Sequence, residues 1–241
     1  MKSAWLVMAA MVLTGCAGTR GLQLTLEGRT GELLYLHDSE TVDDKQKGTV
    51  KIVSFVVDDV LPPDTTVRKK SGFLVPLLFV NFWKYEYECR LGSSQIENDY
   101  KEFARQSFIE ELERSGTYRQ AEDYGDLEVE VGLRSLTMSA PMVKVGDIFF
   151  VLYAYGYNES TLAGPVESVV TADVVIRRDG HELVNRRFQG SSRTNTLKGN
   201  FMSVADYTAT MIEGFSLALK DLNEHLVQEI NRIPVASPRR I

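Results

Sequence analysis

Apolar and polar side chains alternate with a period of two in several segments, which is the pattern of strands that bury one face. Residues 84–91 place charged side chains at the even positions and apolar ones, Cys89 among them, at the odd positions. Residues 127–134 repeat this pattern, and residues 49–57 are apolar on both faces, as expected of a central strand. These three segments predict strands of one sheet.

A hairpin is predicted around Asp179 and Gly180. The Asp-Gly pair favours the tight two-residue turn that joins antiparallel strands. The strands on either side of the turn are residues 169–178 and 181–193.

Two other segments carry apolar residues at helical spacing. Ser94 and Glu97 form an S-x-x-E capping box, which predicts a helix over about residues 95–114. Residues 204–231 carry a single apolar stripe that ends before Pro234.

The order of these elements is strand, strand, helix, strand, hairpin and helix. It predicts an α+β fold with a mainly antiparallel sheet and two helices packed on one face. We expect residues 48–233 to form this single domain. We interpret residues 16–47 as a tether with one or two marginal strands, and residues 234–241 as a disordered tail.

Two apolar runs stand apart from these patterns. Residues 73–83 are the most apolar internal run of the chain, and residues 147–157 are rich in aromatic side chains. Turn-forming residues flank the second run, which predicts an excursion from the domain over residues 139–166. This run is a core strand, a lipid-contacting element or a partner surface. The pattern favours the core strand, because buried runs outnumber exposed apolar patches.

The N-terminus has the layout of a secretion signal. Lys2 precedes residues 4–13, which contain no polar side chain. As a helix this run would be about 15 Å long, too short for the roughly 30 Å hydrocarbon core of a bilayer. The string Leu13-Thr14-Gly15-Cys16 follows at once and resembles the lipobox of bacterial lipoproteins: branched apolar, small, small, cysteine.

This resemblance implies that residues 1–15 are a signal peptide and that Cys16 becomes the lipid-bearing first residue of the mature protein. Acyl chains on Cys16 would anchor the protein stably to a membrane. Ala17 stands where an aspartate would favour retention in the inner membrane. We therefore expect an outer-membrane anchor that faces the periplasm.

Composition excludes several classes of protein. The formal net charge of −6 argues against nucleic-acid binding, which requires a basic surface. With Cys16 lipidated, Cys89 is the only other cysteine, so the mature chain can form no internal disulfide. Because Cys89 lies on the apolar side of its strand, we interpret it as a small buried side chain rather than a nucleophile.

The sequence predicts no catalytic, cofactor-binding or metal-binding residue. His37, His181 and His225 lack the spacing of a zinc-protease helix, and each is interpreted as a surface residue. A serine nucleophile elbow and a phosphate-binding glycine loop are also missing from the sequence.

Behind the lipobox, the element order resembles periplasmic lipoproteins such as the auxiliary component of ABC-type transport systems and the curli-secretion group. These families imply a lipoprotein that helps to assemble or bridge an envelope machine without catalytic residues. We therefore expect a non-enzymatic accessory or scaffold lipoprotein with protein partners in the envelope. The alternatives are a carrier or sensor of a hydrophobic ligand that uses residues 73–83 and 147–157, and a hydrolase of envelope polymers.

Overall fold

One long strand organises the molecule. The computed structural model describes residues 17–35, 48–114, 117–151, 154–194 and 204–235. In chain order the elements are α1 (Ala17–Glu27), β1 (Gly48–Val57), β2 (Thr66–Pro76), β3 (Val80–Arg90), a 3-10 turn (Ser93–Gln95), α2 (Tyr100–Arg114), β4 (Tyr118–Ala121), β5 (Leu127–Val151), β6 (Ala154–Ala163), β7 (Glu167–Arg178), β8 (His181–Arg193) and α3 (Val204–Arg232).

Strand β5 is 25 residues long and belongs to two parts of the sheet. Its first half, residues 127–139, pairs in parallel with β1 and antiparallel with β7. With β4 beside β1 and β8 beside β7, these strands form the body sheet. The second half, residues 140–151, pairs antiparallel with β3 on one side and with β6 on the other. We call this second part, with β2 at its edge, the finger.

The helices cover the body sheet. Helix α3 packs on β7 and β8, and α2 packs on α3, β1 and β4. Between the two helices, the Asn223 side-chain amide donates a hydrogen bond to Ser107 Oγ over 3.2 Å. At the start of α3, the buried Tyr207 hydroxyl lies 2.9 Å from Pro141 O and 3.1 Å from Gly164 O, where the finger begins.

The predicted α+β architecture, a mainly antiparallel sheet with two helices on one face, is wrong. The sheet is mixed, because β1 pairs in parallel with both β4 and β5. Among the described residues, 51% are in strands, and there are three helices rather than two. Alternation shows which face of a strand is buried but not the direction of its neighbours. It therefore could not reveal that the long connection through α2 makes β4 parallel to β1.

The marginal strands predicted within residues 16–47 are also wrong where the structure describes them. Residues Ala17–Glu27 are α-helical. Leu22, Leu24 and Leu26 alternate as in a strand, but Leu22 and Leu26 are also one helical turn apart. Both are buried, whereas Leu24 is exposed.

Of the other predicted elements, the hairpin and the last helix are confirmed, and the first predicted helix begins later than expected. The hairpin at Asp179 and Gly180 is confirmed, and both residues have the positive φ that this turn demands. The last helix matches its predicted bounds. The other predicted helix begins later than expected: Asp99 caps it, its carboxylate accepting a hydrogen bond of 2.9 Å from the Lys101 N–H. Residues 1–16 and 236–241, with the predicted signal, Cys16 and most of the predicted tail, lie outside the described residues.

Candidate interaction site

The finger brings the two apolar runs of the sequence side by side. Strands β2 and β3 form one hairpin, closed where the Leu77 N–H donates a hydrogen bond of 2.8 Å to Val80 O. Strands β5 and β6 form the second hairpin. The two are joined along β3 and β5, where Val80 lies opposite Phe149, and the Phe150 N–H donates to Phe79 O over 2.8 Å.

The buried core stops well before the end of the finger. Its last rung contains Tyr87, Met142 and Ala163, all buried. Beyond that rung the strands continue from Glu86 to Val80, which at about 3.4 Å per residue is a projection of roughly 20 Å. The finger therefore extends beyond the core that holds the body together.

The far end of the finger is apolar and open on both faces. Phe73, Leu74 and Val75 are consecutive, so they point alternately to the two faces, and they are 54%, 46% and 41% exposed. Leu78, in the β2–β3 turn, is 88% exposed. Other exposed apolar side chains here are those of Leu77, Phe79, Phe82, Phe149, Phe150, Tyr155 and Tyr157. We call residues 73–82, 148–151 and 154–157 the tip; none of them carries a charge.

The favoured interpretation of residues 147–157 as a core strand is therefore wrong. An apolar run shows only that its side chains gain by leaving water. It does not say whether the apolar partner is this chain's own core. The signal that could have revealed the finger is the presence of two such runs, the first of which is followed directly by the charged, alternating residues 84–91.

The lysines and glutamates directly behind the tip are paired with one another, and Asp147, on the last charged rung, accepts a hydrogen bond of 3.4 Å from the Asn158 side-chain amide. Lys84 Nζ lies 2.7 Å from Glu86, and Lys144 Nζ lies 2.7 Å from Glu159. Hydrogen bonds from Lys84 and Ser71 hold the pKa of Glu86 below its usual range. Along the finger, the side chains thus change from charged to uncharged within one or two residues.

Aromatic rings mark that boundary. The rings of Trp83 and Tyr157 pack with centroids 5.7 Å apart. Partial burial and a hydrogen bond with Glu159 raise the pKa of the Tyr157 hydroxyl to about 12, so it stays protonated at neutral pH.

Glycines make room for rings across the finger. Gly146 is the cross-strand neighbour of Trp83, and a Cβ at Gly146 would lie 2.3 Å from the indole. Gly156 stands in the same relation to Phe149, at 2.0 Å. Each ring therefore lies flat across the glycine of the neighbouring strand, which is a known way to stabilise glycine in a sheet.

The described part of the body also contains a cleft and a cavity. A cleft of about 330 Å³ between β8 and α3 is lined by Arg186, Arg187, Arg232 and His225. Its arginines are engaged: Arg186 lies 2.7 Å from Glu229, and Arg187 lies 2.8 Å from Asp173. A second cavity, of about 240 Å³, is lined mainly by apolar residues. Its lining residues are Val60, Leu61, Pro62, Arg90, Leu91, Leu136, Thr137 and Met138.

The described histidines and Cys89 do not come together in one site. His181 begins β8 at the hairpin turn, His225 lies on α3 with Nδ1 3.1 Å from Gln189 O, and His37 is outside the described residues. Among the residues that the structure describes, no group of three or more His, Cys, Asp or Glu side chains could hold a metal ion. Cys89 is fully buried, as predicted, and burial raises the pKa of its thiol to about 12. A thiol in that state is a poor nucleophile.

None of the helices within the described residues is long and apolar enough to cross a bilayer.

Comparisons with known proteins add little. No family model matches the chain, and no curated protein matches its sequence. Among solved structures, the chain is similar to protein XCC0632 from Xanthomonas campestris, which is described by the family model DUF330. The TM-score is 0.39 at 11% identity, over 85% of this chain and 98% of that one. A likeness at this level carries no argument about fold or role.

Proposed function

We propose that this protein is a lipoprotein of the bacterial cell envelope, anchored through Cys16. It would act as a non-enzymatic accessory or scaffold component of a transport, secretion or assembly complex. The anchor faces the periplasm, on the outer membrane. The lipobox resemblance supports the anchor, and the exposed apolar finger supports a role in contact rather than in chemistry.

The finger is the observation that carries this proposal. Soluble proteins rarely leave a large contiguous apolar patch in water, and such patches mark sites of protein or membrane contact. Here the patch lies at the end of the finger, which extends beyond the buried core. A side-by-side pair of hairpins is also a stiffer support than a single hairpin, which is marginally stable alone.

The two alternatives receive less support from the geometry. A carrier of a hydrophobic ligand would need residues 73–83 and 147–157 to enclose a cavity. They instead lie in one open sheet, and neither body cavity is lined by them. An envelope hydrolase would need a nucleophile and a base in one cleft. The arginine cleft holds His225, but no serine or cysteine of the described residues lines this cleft, and Arg186 and Arg187 beside it are engaged in ion pairs.

The anchor is tested by metabolic labelling with a fatty acid in a bacterial host that expresses the full chain. We expect the wild-type protein to carry the label and to fractionate with membranes. Cys16→Ala should lose the label, because only the sulfur of the lipobox cysteine accepts the lipid.

Cys89→Ala is the matched control, since it removes the other cysteine of the chain. This variant should keep the label. Labelling that survives in Cys16→Ala, or that disappears in Cys89→Ala alone, would contradict the proposed anchor.

The accessory role is tested on the labelled protein. Native electrophoresis of gently solubilised envelopes should place the wild-type chain in a species much larger than the monomer. Migration as a free monomer, under conditions that preserve other envelope complexes, would argue against a scaffold.

A further inference from the structure

We propose that the tip of the finger enters the interfacial region of a lipid bilayer, as a second membrane contact beside the Cys16 anchor. The inference rests on the proposed envelope location, but it concerns residues far along the chain from the anchor. The occupant is lipid rather than a protein partner or a second copy of the chain.

The tip is apolar on both faces. A protein partner that packs on a sheet covers one face and leaves the other wet, which gives one apolar and one polar face. Beyond the last charged rung, neighbouring residues Phe149 and Phe150 on β5 are exposed on opposite faces. Phe73 and Leu74 on β2 are also exposed on opposite faces, on the rungs of Lys84 and Trp83. An environment that is apolar on all sides matches this arrangement.

The order of side chains along the finger also fits a bilayer interface. Lys84 and Lys144 come first, then Trp83, then the rung of Asp147, and the ring of Tyr157, which packs on Trp83, lies on the next rung at the start of the uncharged end. Tryptophan and tyrosine concentrate at the level of lipid headgroups, with apolar residues on the hydrocarbon side. Lysine stems can lie along apolar surface while their ammonium groups stay in water.

The length of the finger beyond its last charged residue sets the depth of insertion. The last rung with a charged residue contains Phe82, Asp147 and Asn158. Strand β5 continues for four residues beyond Asp147, to Val151, which is roughly 13 Å at about 3.3 Å per residue. This length covers the 5–10 Å to which interfacial elements are typically buried.

The edges of the finger explain why the tip goes no deeper. In the described part of the chain, β2 pairs with β3 alone and β6 pairs with β5 alone. The outer edges of both strands therefore present unpaired backbone groups, which hydrocarbon cannot satisfy. At the interface, headgroups and water can satisfy them. The structure fits a shallow insertion led by the Leu77–Phe79 turn.

The placement of α1 is consistent with a membrane contact by the finger. Helix α1 starts at Ala17, immediately after the proposed anchor residue, and it packs against α3 and against β2 of the finger. Leu22 and Leu26 bury its inner face. A lipid on Cys16 would therefore be joined to the body without a long linker, which keeps the body close to the bilayer.

The chain carries its own probe for this contact. Its two tryptophans are Trp5, in the predicted signal, and Trp83, at the tip boundary. In a Trp5→Phe background, Trp83 is the only tryptophan whether or not the signal is removed. The full chain is reconstituted into phosphatidylcholine and phosphatidylethanolamine vesicles whose acyl chains are brominated near the headgroup. We expect the Trp83 emission to shift to the blue and to be quenched by the bromine.

Leu78→Asp tests the tip itself. Leu78 is 88% exposed, so a charge there should leave the fold intact while it opposes insertion. We expect this variant to lose most of the bromine quenching of Trp83. Leu183→Asp, the same change at an exposed position on β8 of the body, should keep it.

Flotation and bromine quenching distinguish insertion of the tip from anchoring through Cys16. Vesicle flotation reports the anchor and should be lost in Cys16→Ala, whereas bromine quenching in the floating wild-type protein reports the tip. Flotation without quenching would overturn the inference and leave the proposed function standing. Protection of Trp83 in lipid-free solution that grows with protein concentration would overturn it in favour of a second copy. Quenching that Leu78→Asp leaves unchanged would also contradict it.

Discussion

At the residue scale, burial decides what Cys89 can do. The side chain sits on the covered face of β3 at the base of the finger, where loss of water stabilises the thiol over the thiolate. Period-two alternation was sufficient to predict this, because residues 84–91 separate charged from apolar positions without exception. The chemistry of the residue is therefore that of a packing group.

Because of this burial, the free energy of unfolding decreases at alkaline pH. The thiol ionises near its ordinary pKa of 9.0 in the unfolded chain but only near 12 in the native state. The unfolded state therefore releases its proton first, and the contribution to stability is complete below about pH 9 and lost towards about pH 12. Burial raises the pKa of Tyr35 and Tyr207 as well, which acts in the same direction.

We expect the free energy of unfolding to fall above about pH 9, by up to about 1.4 kcal/mol per pH unit from Cys89. Cys89→Ala should reduce the slope without abolishing it, since the tyrosines remain. Urea unfolding at about pH 8 and about pH 10.5 measures this. Identical slopes for the two proteins would show that the native thiol ionises freely.

At the element scale, the finger depends on the fit of rings over glycines. Gly146→Ala would add a Cβ 2.3 Å from the Trp83 indole and 2.7 Å from Asn158 O. Because the second contact is with backbone, a side-chain rotation alone cannot relieve the crowding. We expect a loss of about 1–3 kcal/mol and displacement of the Trp83–Tyr157 pair.

Gly21→Ala is the matched control for that substitution. It also adds one methyl group, but nothing lies within 4 Å of the new Cβ, and the residue is within α1. We expect a gain of about 0.5–1 kcal/mol, because alanine is the better helix former. Thermal unfolding and the Trp83 emission spectrum distinguish the two variants. Equal changes in stability and in emission for Gly146→Ala and Gly21→Ala would mean that the rings move aside easily.

The elements also show what the sequence could and could not predict. The β7–β8 hairpin and α3 were predictable because a local turn and a local stripe determine them. The parallel pairing of β1 with β5 was not, because its partners are far apart in sequence and no local pattern records direction. The finger was missed for a related reason: the alternating residues 84–91 predict a strand, but the core covers only its second half, from Tyr87 onward.

At the scale of the whole molecule, α1 joins the proposed anchor to the body. Leu26 is fully buried, and the Thr208 hydroxyl on α3 donates a hydrogen bond to Leu26 O over 3.1 Å. Leu26→Ala should cost about 2–5 kcal/mol if the cavity does not collapse. Leu24→Ala, on the exposed side of the same helix, should change stability by no more than about 0.5 kcal/mol.

Chemical denaturation of the two leucine variants checks this pair. Hydrogen exchange of the α1 amides, which should accelerate only in Leu26→Ala, is a second measurement. Equal costs would mean that residues 17–27 do not dock through one helical face.

The continuity of β5 also has a mechanical consequence. The same backbone is held by β3 and β6 near one end and by β1 and β7 near the other, so there is no hinge of loose chain between the two regions. A load applied at Val151 is carried as tension or compression along one strand. It is then shared, in shear, among the hydrogen bonds to the neighbouring strands beneath α3. A force that acts on the tip is therefore transmitted along β5 directly to the body sheet.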